Sequence, residues 1–485
     1  MSVRGAAIWA MSSQYMAFAI NFFASIYLAR HYIGPDELGL FSIAFAATTL
    51  IAVLQDFGLT RYIAGEAELD DRKIRTAFSL SLVIAWLIAF VSMSLAWPMA
   101  QLYELPRLMP VMLVIGASYL LVPFAVIPTA LRQREMDFKS NTMIEVGASL
   151  ANAAISISLA AEGMGALALA WGAFAQQVAR ALVSQWRNGF LFPWPLSFNG
   201  AKPVLRFGGG SSLLVLSGSL GEKMPDLIIG RVLTEAAVGL FARANGLAAQ
   251  LRHLVSGAVT SVFYPAFARV RDRGEELGPP YERVVASYCA VTWPSMVGLA
   301  VLAEPLIRIL YGERWIATAP LLQWIALSQL CFVALPLHVE LPILLGRMKA
   351  LIHRNFLDTF ASIAFLAAGA MVSLEIAAAS RLAYGLVWIG IYAGFLQKLI
   401  GFRWSAMLRI YLQSGIAAFA SVAPILLIYA FVQGPAELDF VMMVAGAAAG
   451  VLLWLITLAV LRHPAFDEIR GLSEPFLRKL QEALG

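Results

Sequence analysis

The sequence is poor in charged residues and in the residue types that bind metals. Only 13% of the 485 residues are charged, whereas soluble domains carry about 25%. The five histidines and two cysteines show no ligand spacing, so neither a metal site nor a disulfide framework is predicted. No cofactor is predicted either, because Gly208–Gly210 are not followed by the Lys-Ser or Lys-Thr of a nucleotide-binding loop.

Apolar residues take the place of the missing charge. They make up 60% of the chain, and the mean hydropathy is +0.75. Because these runs are long and continuous, they do not match the alternating strands of an outer-membrane barrel. At roughly 20 residues for each crossing, they predict an all-α polytopic membrane protein with about 14 transmembrane helices. The predicted spans are 6–29, 38–57, 76–99, 109–130, 140–160, 165–186, 208–229, 239–265, 284–307, 316–344, 355–374, 382–400, 411–432 and 440–461.

The positive charges predict the orientation of these spans. Alternate loops on one side, together with both termini, hold 25 of the 35 Lys and Arg residues. Cytoplasmic loops retain such an excess, so both termini are predicted to be cytoplasmic. The pI near 9.2 follows from this topology, and no nucleic-acid partner is predicted. The other side holds only six cations: Arg30, Arg107, Arg231, Arg308, Arg314 and Arg381.

A short internal repeat predicts how the spans are grouped. Leu38-Gly39-Leu40-Phe41 opens the second span, and Val238-Gly239-Leu240-Phe241 opens the eighth. Six spans in each half preserve orientation, so we predict two parallel six-helix repeats, as in many transporters. These are residues 1–200 and 201–404. A transmembrane hairpin at 405–462 and a cytoplasmic interfacial tail helix at 463–485 complete the predicted organisation.

Polar residues inside the first six spans are the first group of candidate site residues. A charge at mid-bilayer costs about 2.5–3.5 kcal/mol, so it usually faces a cavity or a partner. Hydrogen bonding between helices is the alternative for the neutral members. Glu145 and Arg180 lie at a similar depth in neighbouring spans, so a structural ion pair between them, or an Arg180 head group that extends to the cytoplasmic surface, is favoured over contact with substrate. For Asp56, pairing with the nearby Arg61 is favoured slightly. The group is Asn21, Asp56, Glu145, Asn152 and Arg180.

The seventh and eighth spans hold the densest group of charges. Glu222, Lys223 and Asp226 lie on the seventh span, where the i, i+3 spacing of Lys223 and Asp226 predicts an ion pair. The carboxylates of this span, together with Glu145, are candidates for ion coupling. So much charge cannot face lipid, and a cavity or partners inside the protein are expected.

Arg243, Asn245 and Arg252 lie on the eighth span. Arg243 is near the external end and could instead extend its head group to the surface. Arg252 shares a helical face with Asn245 and lies roughly mid-span. We therefore predict that Arg252 faces a central cavity.

Three functional classes remain for such a chain. Asp36-Glu37 in the first external loop would suit a lipid-dependent glycosyltransferase, but the external loops are too short to hold a catalytic site. A channel would need a selectivity ring or filter, and none is readable. A secondary carrier with charge buried between two repeated halves explains the most.

The chain also resembles a known family over essentially its whole length. The resemblance rests on Leu-Ala-Arg-His-Tyr-Ile-Gly-Pro-Asp-Glu-Leu-Gly-Leu-Phe from Leu28, Asp-Phe-Gly-Leu from Asp56, Leu-Arg-Gln-Arg-Glu-Met-Asp-Phe-Lys from Leu131, and Pro-Asp-Leu-Ile-Ile-Gly-Arg from Pro225. It is similar to the Wzx-type oligosaccharide flippases, whose superfamily includes the multidrug and toxin extrusion carriers and the lipid II flippases. These are fold motifs, and they do not identify a sugar.

The resemblance implies transport of undecaprenyl-diphosphate-linked oligosaccharide repeat units across the bacterial inner membrane by alternating access. The implied partners are the lipid-linked oligosaccharide, membrane lipid, and the polymerase and glycosyltransferases of surface polysaccharide synthesis. Arginine suits a diphosphate because its guanidinium binds phosphate oxygens in bidentate fashion. A cation-coupled multidrug exporter and a lipid II flippase remain the alternatives.

The charge asymmetry makes the topology testable. Reporter fusions at Gly200 and Gly278 should report a cytoplasmic location, and a fusion at Gly434 should report an external one. A paired phosphatase and fluorescent-protein reporter at each site measures this directly. A cytoplasmic result at Gly434 would remove the terminal hairpin from the topology.

Overall fold

The computed structural model describes residues 3–55, 59, 63, 66, 69–188 and 193–466. Within these ranges the chain is a succession of helices without β-strands. In these ranges each predicted span overlaps one helix or two consecutive helices, with boundaries that differ. The helices are α1 (Val3–His31), α2 (Pro35–Ala52), α3 (Asp71–Ser94), α4 (Ala96–Leu102), α5 (Leu108–Ser118), α6 (Pro123–Arg134), α7 (Phe138–Ala161), α8 (Ala166–Asn188), α9 (Ala201–Val232), α10 (Glu235–Asp272), α11 (Gly278–Val301), α12 (Ala303–Tyr311), α13 (Thr318–Val333), α14 (Glu340–Leu344), α15 (Met348–Ala370), α16 (Leu374–Ile400), α17 (Trp404–Phe431) and α18 (Phe440–Val460).

The chain is a multi-pass membrane protein. In the part that the structure describes, eight helices are long and apolar enough to cross a membrane, or nine if the bent pair α5 and α6 forms one span. That pair bends by 46° near Pro123, whose nitrogen cannot donate a helix hydrogen bond. Charged side chains interrupt the apolar character of α9, α10 and α15. The all-α membrane fold is confirmed, and the count of fourteen stays a prediction.

Side chains mark the start of several helices. Asp70 accepts a hydrogen bond from the Lys73 backbone N–H at 2.8 Å and begins α3. Ser373 accepts one from the Ile376 N–H at 3.1 Å and begins α16. Each such cap stabilises a helix by about 1 kcal/mol. Ser373 therefore starts α16 well before Leu382, where the hydropathy of the sequence places the span.

The first compact unit comprises Met1–Gly239. In it, α7 packs against both α1 and α8, and α2 packs against α5 and α9. The unit thus includes α9, which corresponds to the seventh predicted span. The predicted division of the chain at residue 200 stays a prediction.

The two glycines of the repeated motif meet inside this first unit. A Cβ added at Gly39 would overlap the carbonyl oxygen of Glu235, and one added at Gly239 would overlap that of Pro35. The starts of α2 and α10 therefore approach more closely than any residue with a side chain allows. The repeat that the sequence shows is thus also a contact between its two copies.

Ion pairs surround this glycine contact. Arg107 donates to Glu37 at 2.6 Å, and its other terminal nitrogen lies 4.0 Å from a Glu235 carboxylate oxygen. The second oxygen of Glu37 accepts a hydrogen bond from the Ala166 N–H at 2.6 Å. Glu37 therefore has a structural role at the start of α2.

The second compact unit comprises Leu240–Gly485. In it, α11 packs against α13 and α17, α16 packs against α13 and α15, and α17 and α18 form a hairpin. Trp454 of α18 donates its indole N–H to the Ala290 carbonyl of α11 at 2.8 Å. This hydrogen bond attaches the terminal hairpin to the rest of the unit.

His463 follows α18 and is buried. Its Nδ1 accepts the Ala465 N–H, and its Nε2 lies 3.1 Å from the Ser414 hydroxyl on α17. Burial lowers the pKa of His463 from 6.5 to about 4, so the ring is neutral at physiological pH. Residues 467–485 lie outside the described part of the chain, and the tail helix predicted for 463–485 stays a prediction.

Replacing Gly239 with Ala should destabilise the first unit, because the new methyl group overlaps backbone that cannot move aside. The expected cost is about 1–3 kcal/mol or more, measured as a lower melting temperature of the purified protein in detergent. Gly246 of the same helix has no heavy atom within 4 Å of an added Cβ. The control Gly246→Ala should therefore be neutral or stabilising. Equal melting temperatures for the two variants would contradict the close contact.

Acid should weaken the attachment of the terminal hairpin. Because the pKa of buried His463 lies below 6.5, its neutral ring contributes stability above pH 6.5 that is lost as the pH falls towards 4. The melting temperature should fall over this range in the wild type and fall less in His463→Gln. Parallel profiles for the two proteins would show that this imidazole does not contribute to the acid sensitivity.

Candidate substrate-binding site

The neutral polar residues predicted in the first unit are engaged between helices. Asn21 of α1 donates to the Ser149 hydroxyl of α7 at 3.2 Å. Asn152 of α7 donates to the Gln176 side-chain oxygen of α8 at 3.1 Å. Such bonds contribute roughly 0.6 kcal/mol each within a membrane. The geometry favours interhelical packing for both residues over the predicted contact with substrate.

Glu145 and Arg180 form the ion pair that their similar depth suggested. The Arg180 Nη2 lies 2.8 Å from Glu145 Oε2, across the contact between α7 and α8. Gln177 accepts a second hydrogen bond from the same guanidinium. Each charge has its partner, which favours a structural role for both.

Lys223 has a different partner from the predicted one. Its ammonium lies 2.9 Å from a Glu222 carboxylate oxygen and 5.4 Å from the centre of the Phe45 ring on α2. Among the described contacts it forms no ion pair with Asp226. The prediction of a Lys223–Asp226 ion pair was therefore wrong. The exposed Glu222 carboxylate can turn towards the ammonium, and the aromatic ring holds the ammonium beside α2. Asp226 still lies within electrostatic range of Lys223.

Arg243 is held by aromatic rings in the second unit. Its guanidinium carbon lies 4.6 Å from the centre of the Tyr311 ring and 5.0 Å from the Trp315 ring. Stacking of this kind suits a planar guanidinium and stabilises the fold. The geometry favours a structural role for Arg243 over contact with substrate.

Arg252 is a predicted site residue that the structure leaves available for a ligand. This partly buried side chain makes no hydrogen bond or ion pair with any residue in the described ranges, and the same holds for Asn245 on its face of α10. The charge of Arg252 acts on His338 and Arg381, so the three basic groups lie near one another. An unmatched cation within a membrane fold is suited to binding an anion.

Arg381 was misplaced by the sequence prediction. It was predicted in an external loop, but it lies inside α16, which begins at Leu374. The hydropathy minimum around Glu375 and Arg381 suggested a loop, whereas the Ser373 cap begins the helix earlier. Arg381 thus belongs to the interior of the second unit.

The surroundings of Arg381 form a polar cluster between α15 and α16. The Arg381 guanidinium donates to the Ser362 hydroxyl at 2.9 Å and lies 5.0 Å from the centre of the Tyr384 ring. The Tyr384 hydroxyl in turn donates to Asp358 Oδ1 at 2.5 Å. Arg381 and Asp358 therefore face each other across a tyrosine.

A second tyrosine completes the hydrogen bonding of this cluster. The Tyr392 hydroxyl lies 2.5 Å from Asn355 Oδ1 and 3.4 Å from Asp358 Oδ2. His338 packs against the edges of Trp388 and Tyr392, with ring centres 4.9 and 5.1 Å apart. The result is a patch of hydroxyls, aromatic rings and opposite charges beside Arg252.

Sequence reasoning missed this cluster although a signal was present. Asn355, Asp358 and Ser362 are spaced i, i+3, i+7, which places them on one helical face. Arg381, Tyr384, Trp388 and Tyr392 repeat the pattern on the next helix. Two facing polar stripes on consecutive apolar helices predict a buried polar site.

The predicted role of Asp56 has no structural outcome. Asp56 lies outside the described residues, so its predicted role stays a prediction. In the described ranges, no group of three or more His, Cys, Asp or Glu residues is placed to hold a metal ion.

Comparison with known proteins identifies the family. Residues 27–320 match the model of a family described as polysaccharide biosynthesis proteins. The chain belongs to this family.

Among its relatives is the lipopolysaccharide biosynthesis protein WzxC of Escherichia coli (strain K12), which is 24% identical over 64% of this chain and 63% of its own length. The succinoglycan biosynthesis transport protein ExoT of Rhizobium meliloti (strain 1021) is 25% identical over 66% of this chain and 65% of its own length. The chain thus matches slightly less than two thirds of the length of these relatives.

Solved structures show the fold. The lipid II flippase MurJ in its inward closed conformation aligns with a TM-score of 0.73 over 93% of this chain and 98% of its own, at 12% identity. An outward-facing multidrug resistance transporter of the MATE family aligns with a TM-score of 0.51 over 81% of this chain and 93% of its own, at 15% identity. Both likenesses concern the fold alone, and they agree with the fold expected from the sequence.

The Glu145–Arg180 pair should show coupling in a double-mutant cycle. Replacing either residue with Gln leaves the other charge without its partner, whereas replacing both removes both charges. We therefore expect each single variant to be less stable than the double variant, with a coupling of about 0.5–3 kcal/mol. Melting temperatures in detergent measure the effect. If the single losses simply add in the double variant, the two side chains do not interact.

Proposed function

We propose that this protein is a flippase that translocates undecaprenyl-diphosphate-linked oligosaccharide repeat units across the bacterial inner membrane for surface polysaccharide synthesis. The product would be exopolysaccharide, capsule or O-antigen. Membership of the polysaccharide biosynthesis family supports this role. The names of its relatives, one a succinoglycan transport protein, support transport over catalysis.

The observation that carries the proposal is Arg252. It lies on a helix of the second unit without a partner in the described chain, beside His338 and Arg381. The diphosphate is the charged part of the substrate, and its oxygens fit the fork of a guanidinium. In a site of low dielectric constant this attraction is stronger than in water. Arg252 therefore binds the head group while the polyprenyl tail remains in lipid.

Transport in this proposal proceeds by alternating access of the two predicted repeats. Both termini are cytoplasmic, and residues 1–200 and 201–404 form the moving halves. Glycosyltransferases supply the lipid-linked unit inside, and a polymerase consumes it outside. Asp226, Glu222 and Glu145 were the predicted coupling carboxylates, and of these Asp226 keeps no ion pair in the described chain.

Arg252→Ala tests the proposal in a strain that depends on this protein for surface polysaccharide. The variant should insert normally but fail to export lipid-linked sugars, which then accumulate on the cytoplasmic side. Arg252→Lys should be intermediate, because the charge remains while bidentate contact is lost. Labelled lipid-linked sugars on each side of the membrane are the measurement.

Arg273→Ala is the matched control. Arg273 is exposed and pairs with Glu275 at 3.7 Å, so its removal should leave export unchanged. Normal export by Arg252→Ala at equal protein level would show that Arg252 is structural. Accumulation of lipid II, or of a cationic drug, in cells that lack the protein would instead identify one of the two alternative transport functions.

A further inference from the structure

We propose that Arg381 is a second diphosphate-binding residue, and that Asp358 supplies its counter-charge while the site is empty. This inference rests on the proposed function and deepens it. It assigns a role to the polar cluster of α15 and α16. When the substrate arrives, its phosphate oxygens accept hydrogen bonds from the Arg381 donors that Asp358 leaves unoccupied.

The first argument is the unused hydrogen-bonding capacity of Arg381. A guanidinium has five N–H donors. In the described part of the chain, the hydrogen bond to Ser362 is the one that Arg381 donates. The Tyr384 and Phe332 rings lie 5.0 and 5.8 Å from its central carbon. These rings pack beside the guanidinium without taking up its N–H groups in conventional hydrogen bonds, so other donors remain for a ligand with several oxygens.

The second argument is the juxtaposition of like charges. Arg252 of α10 and Arg381 of α16 are both cations, and they lie within electrostatic range of each other. Two arginines held near one another inside a membrane fold cost free energy unless an anion joins them. A diphosphate has enough oxygens to accept hydrogen bonds from both guanidinium groups. The two arginines together therefore offer the diphosphate more hydrogen-bond donors than Arg252 alone.

The third argument concerns Asp358. Its carboxylate is oriented by Tyr384 at 2.5 Å and by Tyr392 at 3.4 Å. It acts electrostatically on Arg381, yet the two residues form no ion pair within 4.0 Å among the described contacts. The carboxylate therefore neutralises the arginine at a distance without occupying its donors. It stabilises the empty site and opposes a second anion that arrives there.

Binding of farnesyl diphosphate to the purified full-length protein in detergent tests this inference, with isothermal titration calorimetry as the measurement. Arg381→Gln should lower the affinity by about 10- to 100-fold, the effect of losing hydrogen bonds to a charged group. Arg381→Lys should recover part of it. Asp358→Asn should raise the affinity several-fold, because the amide oxygen still accepts from Tyr384 while the opposing charge is gone.

Arg354→Gln is the control within the same helix pair. Arg354 lies 4.0 Å from the centre of the Phe395 ring and donates to the Ala350 carbonyl. Its charge acts on Tyr392, but its hydrogen bond goes to Ala350 and not to the cluster around Arg381. It therefore tests the loss of an arginine and of an arginine–aromatic contact while the hydrogen bonds of the cluster remain. Its affinity for farnesyl diphosphate should match the wild type.

The outcomes separate this inference from the proposed function. If the wild type binds and Arg381→Gln and Arg381→Lys bind equally well, Arg381 is not a ligand and the inference is wrong, while the flippase proposal stands. An unchanged or lower affinity in Asp358→Asn would show that Asp358 is not the opposing charge. If Arg381→Gln does not fold, Arg381→Lys and Asp358→Asn still decide the question. A wild type that does not bind the diphosphate removes the support for both proposals.

Discussion

The need to match every charge inside a membrane fold governs the arrangement of these helices. Lipid offers no counter-ion and no hydrogen bond, so each buried charge must find its partner within the protein. Glu145 meets Arg180 between two helices of the first unit. Aromatic rings hold Arg243 in the second unit. Within the described part of the chain, Arg252 has no such partner, and our proposals assign ligand binding to it and to Arg381.

The same requirement explains why the neutral polar residues pack between helices and are not thereby identified as ligand-binding residues. Asn21 and Asn152 lie on polar faces, and each hydrogen-bonds a neighbouring helix. A polar stripe on a membrane helix therefore does not by itself identify a binding surface. The second unit differs because two groups of opposite charge come together there. Asp358 and Arg381 lie on either side of Tyr384 and do not form an ion pair.

Much of the fold could be predicted from the sequence, because apolar length and charge asymmetry act over whole helices. The Glu145–Arg180 pair was predictable for a similar reason, since depth along two adjacent spans follows from counting residues. The partner of Lys223 was not predictable, because side-chain rotation and the nearby Phe45 ring decide between two carboxylates on the same helix. Arg381 was missed because Ser373 caps α16. The helix therefore begins before the polar stretch that contains Glu375 and Arg381.

The residues of the polar cluster lie on two helices that are adjacent in the sequence, which affects how this cluster can change during evolution. Asn355, Asp358, Ser362, Arg381, Tyr384 and Tyr392 all lie on α15 and α16, which are joined by the short turn at residues 371–373. One continuous stretch of gene therefore encodes both faces of the cluster, in a register that the turn maintains. Recombination of residues 348–400 between family members would transfer the whole arrangement at once. An insertion within either helix would rotate one face by about 100° for each added residue and separate the two.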